Sequence, residues 1–217
     1  MPPPGKKPQR PNRPEGAGKG GRPSVNRPRG KAPVAPGLLR VRRVDGNRFA
    51  LLPPACAFER EEDLDEVRKM IAGGEPEIAR DELLYLVADC RGFLEAHNLL
   101  GELALEDEDI ALARGHFGFA YEIGLQSLGS SFQGILPAGR EYNREFFLAG
   151  RGVARCLISR GKREEGREIL KKLAKFDPRE PDVKALLDEL DEQDRTGNLP
   201  PVVPFVDEDD DDDSDDE

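Results

Sequence analysis

Residues 94–127, LEAHNLLGELALEDEDIALARGHFGFAYEIGLQS, carry the pattern that decides the fold. Apolar side chains recur at helical spacing from Leu94 to Leu105, and the acidic run Glu106-Asp-Glu-Asp109 interrupts them. A second helical pattern then covers about 110–124. Gly101, Ala113 and Ala120 are small where two helices would meet, while Phe117 is large enough to fill the gap between layers. Ala113, Phe117 and Ala120 stand 34 residues after Ala79, Leu83 and Leu86, and Asp107-Glu108 stands where the earlier copy has Gly73-Gly74. A helix–turn–helix unit repeating at this period cannot bury its own apolar face, so it must stack on its neighbours.

The same period extends in both directions. Upstream, Leu64, Val67, Met70 and Ile71 mark one helix, Gly73-Gly74 ends it, and Glu75-Pro76 starts another, with Pro early in the first turn. Downstream, Val153-Ala154, Leu157, Gly166, Leu170, Leu173 and Pro178 form a third copy, displaced by 53 residues instead of 34. The 19 extra residues overlap the Gly/Ser-rich stretch after Leu125. The pattern predicts an all-α chain: a short antiparallel helix–turn–helix repeat array over 59–195. Its units are 60–93, 94–127 and 147–180, with an insertion at about 128–146. Helix 182–193, with Val183, Leu186, Leu187 and Leu190 among acids, is a solvating cap. Residues 37–58 are a linker in which Asp45-Gly46, between two short apolar or β-branched stretches, signals a possible hairpin.

The two ends differ from this middle. Residues 1–36 hold ten of the nineteen prolines and nine Lys or Arg against one acid, Glu15, whereas Asp207–Glu217 is acidic everywhere except Ser214. Neither end can bury enough apolar surface to offset the entropy of ordering. The expectation is a disordered basic tail over 1–36, and a Pro-containing linker with an acidic disordered tail over 196–217. The apolar, proline-stiffened run Leu199–Phe205 has the character of a groove ligand in its own right.

Little here points to catalysis. His97 and His116 occupy different places in their helices, without an acid and a thiol at ligand spacing, so no metal or catalytic site is expected and no cofactor. Cys56, Cys90 and Cys156 are odd in number and lack paired spacing; Cys90 and Cys156 fall in apolar helical patterns. They are expected to be reduced thiols, Cys90 and Cys156 behaving as small hydrophobes, in a soluble cytoplasmic protein. No stretch approaches the ~18 apolar residues of a membrane span, so no membrane partner is expected.

The Leu100-Gly101 pair with Ala113, Phe117 and Ala120, and the closing Phe176-Asp-Pro178, resemble the tetratricopeptide repeat (TPR) family over about 100 residues. His97 and Gly150 stand where that family usually has a bulky aromatic, and Leu125 replaces the proline of the second unit. The resemblance implies a non-enzymatic scaffold or adaptor whose first helices line a concave groove for an extended peptide. Carried over by frame, the groove positions are Leu64 and Arg68, then Asn98, Glu102 and Leu105, then Arg151, Arg155 and Ile158. Arg151 and Arg155, one turn apart, suit a carboxylate or an acidic peptide. Glu102 breaks the family's pattern for clamping chaperone tails. The alternative is a nucleic-acid-associated or basic-protein-binding factor acting through the tails, with the basic N-terminal arm neutralising phosphates in a salt-sensitive way.

Overall fold

The computed structural model describes residues 38–198; the predicted basic and acidic tails, and the run Leu199–Phe205, lie outside the described residues. Among the described residues the chain is mostly helical, with a small two-stranded sheet where Asp45-Gly46 signals a possible hairpin. Strands β1 (Arg40–Asp45) and β2 (Arg48–Leu52) pair antiparallel, Arg40 opposite Leu52 and Arg43 opposite Phe49. Gly46 takes φ +43° in the turn, and Val44 falls in a shift of register between Arg43 and Asp45. Eight helices follow: α1 (Ala55–Glu59), α2 (Glu61–Ala72), α3 (Pro76–Asp89), α4 (Leu94–Glu106), α5 (Ile110–Leu128), α6 (Glu141–Ser159), α7 (Arg163–Phe176) and α8 (Pro181–Thr196).

Helices α2 to α8 match the expected ones in number and order. The differences are local. Helix α1 lies inside the expected linker, and α5 continues to Leu128 while α6 starts at Glu141, inside the expected insertion, so the irregular segment shrinks to 129–140. From α2 to α8 each helix contacts the one before it, and α4 also touches α6.

Three turns share one geometry. Gly74, Glu108 and Gly161 have φ of +80°, 64° and +77°. In each, the following amide reaches back into the last turn of the preceding helix: Glu75 N–H to Met70 C=O at 2.9 Å, Asp109 to Ala104 at 2.9 Å, Lys162 to Leu157 at 2.9 Å. Glu108 adopts the left-handed conformation that glycine supplies in the other two. Asp109 then caps α5 by accepting from the Leu112 N–H (2.8 Å), and Glu180 caps α8 through the Val183 N–H (2.6 Å).

Two apolar clusters meet at α4. Ala57, Leu64, Val67, Leu83 and Leu86 pack with Ala96, Leu100 and Leu103 on one side. Leu94 and Ala104 face the other cluster, built by α5–α8 and the hairpin around Phe117, Phe146, Phe147, Leu157 and Leu170. Phe117 occupies the closest approach: a Cβ on Gly101 would stand 2.7 Å from its Cζ, and one on Gly152 2.4 Å from its Cγ. A side chain at either position would therefore have to displace the Phe117 ring.

The hairpin does lean on the helices, as two strands alone must. Buried Asn143 of α6 accepts from the Leu51 N–H (2.8 Å) and donates to Phe49 C=O (3.1 Å) and Pro137 C=O (3.0 Å). The 129–140 segment runs alongside β2, with reciprocal bonds from Phe49 N–H to Ile135 C=O and from Ile135 N–H to Asn47 C=O, each 2.8 Å. Leu136 N–H then bonds Phe176 C=O at the end of α7.

Candidate interaction face

The predicted groove residues lie on α2, α4 and α6, and most of their polar groups are already engaged. Arg68 of α2 bonds Asp65 and reaches Glu95 of α4. Asn98 of α4 is buried and donates Nδ2 to both the backbone oxygen and Oε2 of Glu145 on α6, each at 3.0 Å. Arg151 of α6 directs Nη1 to Glu180 Oε1 (2.9 Å) and Asp182 Oδ2 (2.6 Å) at the start of α8. Each of these side chains ties its helix to a later one along the chain. This corrects the reading of Arg151 as a free cation for a partner carboxylate: the acids opening α8 occupy it first. Leu64 is buried in the core, and Leu105 is half-buried against the larger cluster.

Three predicted residues keep a free surface. Glu102 is exposed on α4, and its carboxyl is held above the usual range, first by partial burial and then by Glu145, Glu106 and Glu95. Arg155 is exposed and, with Ile158, lines a cavity of about 400 Å³ whose other wall is Leu186, Leu190 and Gln193 of α8. The expected pairing of Arg151 with Arg155 in one anion site does not form.

Sequence reading missed the other end of this face. Where the first turns of α2, α4 and α6 meet, a cavity of about 240 Å³ opens, lined by Pro53, Phe58, Leu64, Arg68, Phe93, Glu95, Tyr142, Arg144 and Glu145, among others. Phe58, on the short α1, is 72% exposed at its rim. Burial pushes the Glu145 carboxyl up, while the Asn98 hydrogen bond and Arg144 hold it down. Glu95, Asn98 and Glu102 share one stripe of α4 at i, i+3 and i+7, a spacing visible in the sequence. Glu145 precedes the third repeat and had no such signal.

The cysteine expectation is overturned for two of three. Cys56 in α1 and Cys90 at the C-terminal end of α3 form a disulfide, with their Cα atoms 5.7 Å apart. The missed signal was their sequence separation of 34. A chain that runs out along α2 and back along α3 returns to its start after about one repeat. Cys156 is free, buried and pushed up to about 11, chiefly by burial, as an inert core thiol should be. His97 and His116 come closer than expected, with ring centroids 6.0 Å apart, and His97 also packs on Phe119 at 4.6 Å. Burial first, and His116 second, push His97 down to about 4.

Among the described residues, no helix is long and apolar enough to cross a membrane. The chain matches no protein-family model and, at a significant level, no curated protein.

Proposed function

We propose that this chain is a non-catalytic interaction scaffold, a short TPR-like array that holds an extended protein segment along α2, α4 and α6. The supporting observation is the cavity of about 240 Å³ at the head of those three helices, with its exposed aromatic rim and apolar floor. Small pockets with a few converging polar groups are where partner side chains anchor. The repeat reading is supported by the three equivalent turns at Gly74, Glu108 and Gly161, whose spacings of 34 and 53 residues equal those of the sequence copies.

The charge of the face redirects the partner chemistry. Arg68 and Arg151 are neutralised from within, whereas Glu102 is an exposed carboxylate whose acidic neighbours Glu145, Glu106 and Glu95 favour its protonation. A cation arriving from outside relieves that repulsion. The partner we propose is therefore a segment with a basic side chain beside an apolar one, in place of an acidic peptide. A cytoplasmic location belongs to the same proposal.

Selection of the full chain against displayed peptide libraries tests this. Basic–apolar peptides should be enriched, and Glu102→Lys and Phe58→Ser should each weaken an enriched peptide at least fivefold. Enrichment of acidic peptides, or indifference to both substitutions, refutes it. The alternative, nucleic-acid or basic-protein binding through the tails, draws on residues outside the described ones. It would show as binding that survives both substitutions and falls steeply with added salt.

A further inference from the structure

We infer that the Cys56–Cys90 disulfide is a reducible latch on the cavity at the head of α2, α4 and α6, opened by a dithiol reductant. The inference rests on the reading of that cavity as part of the binding face. Residues 53–59 form a strap between β2 and α2, and Pro53, Ala57 and Phe58 of the strap line the cavity. Among the described residues, the strap's backbone bonds outside regular structure stay local: the Ala57 and Phe58 N–H groups donate to Pro54 C=O, and Arg60 N–H to Ala57 C=O. A helix of five residues has too few hydrogen bonds to persist alone. What fixes the strap is the burial of Ala57 and the bond from Cys56.

The other end of the bond is a firm anchor. Cys90 is buried, donates its N–H to Leu86 C=O and accepts from the Phe93 N–H, and Phe93 is itself a cavity wall. Beside it, Arg60 holds Asp89 through Nε (3.3 Å) and Nη2 (3.1 Å), tying the start of α2 to the end of α3 without any sulfur. Breaking the disulfide therefore leaves 53–59 held by the burial of Ala57 alone, while Arg60 keeps α2 in place. The movable strap carries one large apolar side chain, Phe58, already in solvent, and lends only Ala57 and the half-buried Cys56 to the smaller core, so lifting it uncovers the cavity while the packing of α2 on α3 and α4 stays.

Cys56 is the more accessible partner of the bond, half-buried where Cys90 is fully buried. A thiolate of the dithiol attacks Cys56 Sγ, the S–S bond breaks, and Cys90 leaves as a thiolate that takes up a proton. The second thiol of the reductant gives up its proton and attacks the mixed disulfide, releasing Cys56 as the second thiol. Two electrons pass to the protein, and the reductant ends as its own disulfide. In a reducing compartment persistent disulfides are rare, and those that form are usually transient and catalytic or redox-sensing.

The test compares the full chain oxidised, reduced with dithiothreitol, and as Cys56→Ser/Cys90→Ser. Short-pulse hydrogen exchange and 1-anilinonaphthalene-8-sulfonate fluorescence are read on each, with alkylation counting the thiols. Reduction should expose two further thiols, speed exchange of residues 55–60 at least tenfold and raise dye fluorescence at least twofold, and the double variant should match the reduced chain. Two free thiols with unchanged exchange at 55–60 would overturn the latch. So would loss of helical circular dichroism on reduction, which would make the bond a staple of the whole fold. Neither readout uses a partner peptide, so failure of the binding-face reading would appear in the library selection alone.

Discussion

Replacing Gly152 with Ala tests whether Phe117 is clamped between helices. A Cβ at Gly152 would stand 2.4 Å from Phe117 Cγ and 2.6 Å from both Cδ atoms, while one at Gly101 would stand 2.7 Å from Cζ and 2.8 Å from both Cε atoms. Ordinary carbon contacts lie at about 3.5–4.0 Å, so either methyl overlaps the ring by about 1 Å. The ring cannot tip away, because one glycine meets its root and the other its tip. On an open helix surface Gly→Ala stabilises by about 0.5–1 kcal/mol. Here overpacking, typically about 1–3 kcal/mol, opposes that gain, and the closer contact puts Gly152→Ala at a net loss of about 2 kcal/mol and Gly101→Ala at about 1 kcal/mol.

Gly118 supplies the control, since a Cβ there meets nothing within 4 Å and Gly118→Ala should gain about 0.5–1 kcal/mol. Urea unfolding followed by far-ultraviolet circular dichroism, with the disulfide intact, reads all three. Phe117→Leu should relieve the clash, so the double variant Gly152→Ala/Phe117→Leu should lose at least about 1 kcal/mol less than the two single losses combined. A Gly152→Ala chain stabilised like Gly118→Ala would refute the clamp.

Asn143→Leu should cost about 2–4 kcal/mol, because the Leu51 N–H and the Phe49 and Pro137 carbonyls lose their partner, and hydrogen exchange of β2 should speed with it. Glu108→Gly should stabilise by about 1 kcal/mol in the same urea assay by relieving left-handed backbone at φ 64°. His97 gives a pH dependence: its folded value is about 4 against 6.5 in a free imidazole, so between them the unfolded chain binds more protons. That contribution is complete above pH 6.5, falls as pH drops and levels off below about 4, a loss of about 3 kcal/mol. The raised carboxyls of Glu102 and Glu145 act oppositely, so the comparison is with His97→Phe, whose stability between pH 6.5 and 4 should decline less.

Much of the helical order was legible because it depends on local chemistry. Gly73-Gly74, Glu75-Pro76 and Asp109 mark helix ends that hold to within a residue or two, and the small residue at Gly101 does face Phe117. The hairpin needed a tertiary partner: Asn143 satisfies β2 from more than 90 residues away, and no local pattern announces that. Helix α1 was illegible for the same reason, since five residues after two prolines fold there only against α2 and through Cys56.

The candidate site was half legible, and the half that failed shows why. Frame and spacing say which side chains fall on which helix, and Arg68, Asn98 and Arg151 do lie on α2, α4 and α6. They do not say which opposite charge arrives first. Glu95 meets Arg68 from α4, Glu145 meets Asn98 from α6, and Glu180 with Asp182 meets Arg151 from α8. In a stacked array the neighbour along the stack is always nearer than any partner, so a polar residue at a frame-predicted groove position is first a candidate for joining helices. What a partner can recognise is what the stack leaves over. Here that is the exposed Glu102, its carboxyl above the usual range, and the exposed Phe58, and under the proposed function it is this remainder, more than the cations singled out by spacing, that decides what the face can hold.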